Sequence, residues 1–301
     1  MRRPTAPLAA LLLLVAGCAP PRTGSLGPAP VAPPPTTAAS ATAAPTGTPA
    51  TPATRAPGTD TPTGSPAPTT ATSGGGPAGT LSVQLWFVRA GKLAPTRRTL
   101  PATVATSHLA LTELATGPSP AERVDGLTTL VPAGTRVTRI DGGVATLAPP
   151  AGFDAGGAAA ARVRRAQVVW TLTQFPTVRR VAFAEAGAAT GRDDYADLLP
   201  PIVVTAPVTG DRVASPVTVT GTADVYEATV SVRVLDAAGR EVGTAFTTAS
   251  CGSGCRGAYR LVVRYRRAAA GAGVVEVFQV SARDGSRVDV VRVPVELTST
   301  Q

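Results

Sequence analysis

Few residues in this chain carry chemistry. There are three cysteines, Cys18, Cys251 and Cys255, and a single histidine, His108. One imidazole argues against histidine-based catalysis and against a His-rich metal site. His108 has no neighbouring Ser/Asp signature and reads as a surface or capping residue of a helix. The run Cys251-Gly-Ser-Gly-Cys255 contains glycines that let so short a loop close. A structural disulfide suits an exported chain. Free thiols and a redox-active pair stay open as alternatives, although redox pairs are usually spaced more tightly and sit at a helix amino terminus. Zinc would need four ligands, and His108 lies far away in the sequence. Asp193, Asp194 and Asp197 form an acidic cluster without EF-hand spacing or a glycine turn, which favours packing or capping over calcium. Arg260, Arg264 and Arg266 share strand parity opposite Leu261, Val263 and Tyr265, with Arg256 and Arg267 nearby. They form a candidate basic binding face toward anionic wall polymer or phospholipid headgroups. The alternative is a solvated strand face in an arginine-rich chain. No nucleophile–base set and no paired acids stand in a recognisable frame, so no enzyme, cofactor or metal is expected.

Cys18 has a different setting. Arg2 and Arg3 are followed by an apolar stretch from Leu8 to Val15 and then Val15-Ala-Gly-Cys18. That stretch is too short to cross the roughly 30 Å hydrocarbon core and reads as a signal peptide. The small residues before Cys18 resemble the bacterial lipoprotein signal, the lipobox, in which the thiol accepts diacylglycerol. The resemblance implies residues 1–18 as leader and lipid acceptor, with several acyl chains on Cys18 holding the protein stably outside the cytoplasm at the cell membrane.

The remaining composition divides along the chain. Of the 301 residues 30 are Pro, and 15 of these fall between Ala19 and Thr80, a stretch without any aromatic side chain. Residues 19–80 cannot bury enough apolar surface to fold and are expected to be a disordered tether, stretching as polyproline to about 190 Å. The formal charge of +9 is carried by 27 Arg and one Lys, and its largest share, +6, falls on residues 81–187. No aromatic residues interleave with these arginines as a nucleic-acid platform requires, so nucleic acid is excluded as a partner. The foldable remainder is enough for two modest domains.

The first domain is expected over residues 81–187. Strands are predicted at Leu81–Val88, Ala94–Leu100, Gly126–Pro132, Thr135–Asp141, Val144–Leu147 and Val178–Glu185. A helix opened by Pro101 runs from Ala102 to Leu114, with Leu109 and Leu114 inward. A second covers Ala158–Gln174, with Arg162, Arg164 and Arg165 as its solvated face and Trp170 and Phe175 as core. This pattern suggests an α+β sandwich with helices on one sheet face. The runs Leu111-Thr-Glu-Leu-Ala-Thr-Gly117-Pro118, Gly126-Leu-Thr-Thr-Leu130-Val-Pro-Ala-Gly134-Thr135 and Gln167-Val-Val-Trp170-Thr-Leu-Thr-Gln174-Phe-Pro176 resemble the GerMN domain. That resemblance implies a non-catalytic envelope module related in fold to ring-building motifs, with no catalytic residues to transfer.

Residues 188–199 read as a charged connector. Residues 200–299 carry seven strand signals: Ile202–Thr205, Val217–Gly221, Thr229–Leu235, Val242–Thr248, Tyr259–Arg266, Val274–Ala282 and Val288–Leu297. With no helix pattern, they suggest an all-β immunoglobulin-like sandwich. Pro201-Ile-Val-Val-Thr-Ala-Pro207, Ser215-Pro-Val217 and Gly221-Thr-Ala-Asp-Val-Tyr226-Glu-Ala228 resemble the immunoglobulin-like domain of bacterial spore-germination proteins; the Cys251–Cys255 loop is an addition to that pattern. Together the resemblances imply a lipid-anchored, non-catalytic envelope protein of sporulation or germination type, binding partner proteins or wall components. An accessory or sensor subunit of a membrane signalling system is the alternative, with a wall-polymer enzyme a weaker one.

Overall fold

The computed structural model describes residues 79–184 and 187–300. The leader with Cys18 and all but the last two residues of the 19–80 tether lie outside the described residues. Among those described, no helix is long and apolar enough to cross a membrane.

The first module opens with a long hairpin, β1 (Thr80–Arg89) and β2 (Lys92–Pro101), paired in unbroken register from Thr80↔Pro101 to Arg89↔Lys92. Pro101 therefore ends a strand; it does not open a helix. Helix α1 (Thr106–Thr116) begins five residues later and stops at Gly117, whose φ of 92° favours glycine. Its buried face holds Ala110, Leu111 and Leu114, whereas the expected Leu109 is only half-buried. A short helix α2 (Pro120–Val124) follows, started by a capping box in which Ser119 and Glu122 each accept from the other's backbone N–H, with Pro120 at the first turn. Strands β3 (Arg136–Asp141) and β4 (Val144–Ala148) form a hairpin. Helix α3 (Gly157–Leu172) then crosses over so that β5 (Arg180–Ala182) lies parallel to β4. The module thus has two small sheets, β1-β2 and β3-β4-β5. Helices α1 and α3 close a core of Leu85, Phe87, Leu93, Leu111, Leu114, Val169 and Leu172.

The expected strand at Gly126–Pro132 is absent. Only Thr128 bridges to Val88. The segment is held instead by α3, where Gln167 accepts from Leu130 N–H and Arg164 donates to the Leu130 carbonyl. The 188–199 stretch, read as a charged connector, packs on the first module. It forms a 3₁₀ turn at Asp193–Leu198, and Tyr195 and Leu199 lie in the first core.

The second module is an immunoglobulin-like sandwich. Its strands are β6 (Ile202–Ala206), β7 (Arg212–Val213), β8 (Val217–Ala223), β9 (Thr229–Asp236), β10 (Glu241–Thr248), β11 (Gly257–Val263), β12 (Gly271–Val280) and β13 (Arg287–Leu297). One sheet has the order β10-β9-β12-β13-β7 and the other β11-β8-β6. Strict alternation puts Val230, Val232, Val234, Val275, Val277, Val293 and Val295 between them. The two-residue β7 carries no alternation and leaves no sequence signal. At Gly221 the sheet β11-β8-β6 is so close that a Cβ would strike the Val203 carbonyl and the Tyr259 ring.

Candidate functional site

Each chemistry-bearing residue has a definite place. Cys18 is outside the described residues. Cys251 and Cys255 are disulfide-bonded, with Cα atoms 5.7 Å apart, in the loop between β10 and β11. That loop sits on the Tyr226–Ala228 turn: Ser253 N–H donates to Val225 O, Glu227 N–H to Ser253 Oγ, and Gly254 N–H to Asp224 Oδ1. A side chain at Gly252 would collide with Ala228. Glu227, Ala228 and Ser253 all have positive φ, so this end of the sandwich is held in a sparsely populated backbone conformation.

His108 is exposed on α1. Two of the three acids of the 193–197 turn have separate tasks. Asp194 Oδ2 accepts from Gly191 N–H, and Asp197 makes a two-point pair with Arg162, whose hydrogen bonds hold its carboxyl below the usual range. Among the described residues no group of three or more His, Cys, Asp or Glu is placed to hold a metal ion.

Of the three arginines read as a solvated face of α3, Arg164 is buried. Its guanidinium reaches the carbonyls of Leu130, Phe153 and Ala155, a task for which its fork of donors is suited. Arg162 and Arg165 remain at the surface, Arg165 pairing with Asp154 and lying over Phe183. Trp170 stacks against Trp86 with ring centroids 4.6 Å apart, under the Arg192 guanidinium.

The Gln167–Gln174 run forms a polar stripe along α3 that seals the free edge of β1. Trp86 N–H donates to Thr171 Oγ1 at 3.2 Å and Gln167 Nε2 donates to Trp86 O at 3.0 Å. Gln174 accepts from Gln84 N–H at 2.8 Å and donates to Gln84 O at 2.7 Å. Positions 167 and 171 stand at i and i+4 on one face of α3, and Gln174 follows in the turn just beyond the end of the helix at Leu172. These side chains do what a third strand would do.

Glu122 is buried against β2. Arg98 grips both its oxygens, Thr96 Oγ1 donates to it, and Ser119 N–H donates at 2.7 Å. Burial alone would raise its pKa, but these bonds outweigh burial and bring it to about 2. Three residues on, Asp125 has the opposite balance. It takes Arg89 at 2.9 Å and Thr209 of the second module at 3.1 Å, yet burial raises its pKa.

Asp125 belongs to the joint between the modules. Arg97 pairs with Asp211 at 3.1 Å, Lys92 donates to the Asp197 carbonyl, and Val203 of β6 enters the first core. Arg256, expected beside the basic ribbon, turns inward and donates to the Pro200 and Pro201 carbonyls; burial lowers its pKa.

Arg260, Arg264 and Arg266 are all exposed and alternate with buried Leu261, Val263 and Tyr265. The opposite face of the sandwich holds a second constellation that sequence reasoning missed. Across β10, β9, β12 and β13 the outward residues Thr244, Arg233, Glu276 and Arg292 stand in register, with Phe246, Ser231 and Phe278 in the next row. Glu276 is 2% exposed under Arg233 and Arg292 at 2.6 and 3.2 Å, with Arg287 nearby over Phe278. Phe246 is 76% exposed. An acid within the apolar run Val274–Phe278 was the available signal.

Residues 84–190 match the family model described as sporulation and spore germination, and residues 201–286 match that of the immunoglobulin-like domain of bacterial spore germination. No curated protein matches the chain. Among solved structures, the chain is similar to the first GerMN domain of the sporulation protein GerM from Bacillus subtilis, with 24% identity over 37% of this chain and 86% of that one, TM-score 0.31. The tandem GerMN domains of the same protein align at 18% identity over 56% of this chain and 60% of theirs, TM-score 0.33.

Proposed function

We propose that this chain, in which a module of the sporulation and spore germination family precedes the immunoglobulin-like module of bacterial spore germination, is a non-catalytic binding protein of the cell envelope. In this reading a lipid on Cys18 holds it at the membrane, residues 19–80 act as spacer, and the two modules present a ligand-binding surface outside the cytoplasm. The observation that carries the proposal is the joint. Arg89, Asp125 and Thr209, the Arg97–Asp211 pair and the insertion of Val203 make the modules one body. The polar side chains that converge elsewhere serve the fold itself, while Arg260, Arg264 and Arg266 stay exposed on one side.

Anionic envelope components are the ligands this ribbon suits, with binding that weakens as salt rises. Changing all three arginines to Glu is expected to abolish salt-sensitive retention of the full chain on phosphate-bearing wall polymer. Unchanged retention would exclude this face as the binding surface. Turnover of wall polymer in a muropeptide assay would overturn the non-catalytic reading. The anchor is tested separately: Cys18→Ala is expected to leave an unprocessed precursor, and normal processing would exclude lipidation at Cys18.

A further inference from the structure

Many arginines of this protein meet an acid. In the second module Arg233, Arg287 and Arg292 surround Glu276, and Arg240 pairs with Asp236. In the hollow beside Gln174, Arg179, Arg180 and Arg192 share the lining with Asp193 and Asp194. One end of the sandwich is built differently. An open hollow of about 820 Å³, within the size range of small-ligand sites, lies where the chain leaves β11 and β13. Arg264, Arg266 and Arg267 line it together with Ser215, Ser299 and Thr300. No acid lines it, and among the described residues none of these three arginines forms an ion pair.

The backbone that carries them is pinned along its length. Ser215 Oγ donates to Tyr265 O at 2.8 Å and accepts from Tyr265 N–H at 3.0 Å. Arg266 N–H donates to Val242 O at 3.1 Å. Arg267 N–H donates to Thr300 Oγ1, and Thr300 N–H donates to Arg267 O, both at 2.8 Å. Between the arginines the Tyr265 ring is buried, and its hydroxyl donates to Val213 O and accepts from Thr298 N–H. Arg267 also donates through Nη1 to the Gly271 and Ala272 carbonyls, which holds its guanidinium in place. Three positive charges within four residues repel one another, and a bound anion would relieve that repulsion. The pinned backbone leaves little ordering for binding to do.

We propose, resting on the reading of this side of the sandwich as an anion-binding face, that the hollow takes a phosphate monoester carried on a sugar or polyol. A carboxylate presents two oxygens and a single charge. A phosphate monoester presents three acceptor oxygens and a charge of about −1.5 to −2, which matches three guanidinium forks. Ser299 adds an exposed residue with a hydroxyl at the rim. No exposed large apolar side chain lines the hollow, as insertion into a bilayer surface would require. Arg260 lies outside the site: it stands four residues back, roughly 13 Å along the strand, and does not line the hollow.

Calorimetric titration of the detergent-solubilised full chain with glycerol 3-phosphate tests the site. Saturable binding is expected, with inorganic phosphate competing and acetate at equal ionic strength not competing. Arg264→Gln and Arg266→Gln should each weaken binding about tenfold or more, as loss of a hydrogen bond to a charged group does. Both side chains are exposed, so neither change should disturb folding. Arg260→Gln, more than a Debye length away, should change the affinity less than about twofold. Absence of glycerol 3-phosphate binding would overturn the proposal, as would equal competition by acetate. An Arg260→Gln loss as large as that of Arg266→Gln would also overturn it. So would binding only to phosphatidylcholine vesicles that contain phosphatidic acid, which would assign the face to a membrane surface. If the full chain is retained on wall polymer through its arginines but does not bind glycerol 3-phosphate, the hollow fails and the wider anionic face stands.

Discussion

Two carboxylates three residues apart make opposite use of burial. Glu122 is ionised in the folded state down to about pH 2, against 4.5 for an ordinary Glu. A depressed folded pKa contributes stability that is fully present above 4.5 and is lost as pH falls toward 2. The shift is worth on the order of 3 kcal/mol. Glu122→Gln is therefore expected to lower stability by a few kcal/mol at neutral pH and to flatten acid denaturation between pH 4.5 and 2, as measured by denaturant titration across that range. Asp125, whose pKa burial raises, has the reverse sign: its contribution is largest below the unfolded value of 3.8 and declines as pH rises through the folded one. Asp125→Asn keeps an acceptor for Thr209 and removes a poorly solvated charge, so at neutral pH it is expected to cost much less than Glu122→Gln. A larger loss would show that the Arg89 pair outweighs burial. Neither carboxylate stood out in the sequence, because apart from Ser119 in the capping box the side-chain partners lie 24 to 84 positions away.

At the scale of elements, alternation made the sandwich legible. Seven of its strands announced themselves through Val and Thr at period two, and the basic parity of Arg260, Arg264 and Arg266 could be counted directly. The failures have a common physical cause. Gly126–Pro132 looked like a strand because Leu, Thr and Val fill a short run bounded by Gly and Pro, but beyond the Thr128 bridge to Val88 it is held by side chains of α3. Arg164 looked solvated because a charge on a helix usually is, yet three loop carbonyls face it. In the same way the Thr-Leu-Thr-Gln run was visible as a motif, while its task of sealing β1 needed the helix and strand placed side by side. Gln167→Leu is expected to leave the Trp86 carbonyl and Leu130 N–H without this partner and to cost roughly 2–6 kcal/mol, at about 1–3 kcal/mol per orphaned group. Circular dichroism during urea unfolding would measure it. Reducing the Cys251–Cys255 bond should cost about 2 kcal/mol by loop entropy and should raise amide exchange first in the 224–228 turn beneath it.

Over the whole molecule, the joint decides how the modules behave. Val203 is 2% exposed, belongs to β6 of the sandwich and packs in the core of the first module. Unfolding of the two modules should therefore be coupled in a single calorimetric transition. Val203→Asp is expected to split it into two, since a charge cannot be buried there without a partner. Two transitions in the unmodified chain would show that the joint is weaker than its contacts suggest.

The stripe on α3 also limits how this chain can change over evolutionary time. Inserting or deleting one residue between Gln167 and Thr171 would rotate everything beyond it by about 100° and turn one end of the seal away from β1. The last turns of this helix thus act as a ruler that tolerates substitution but not a change of count.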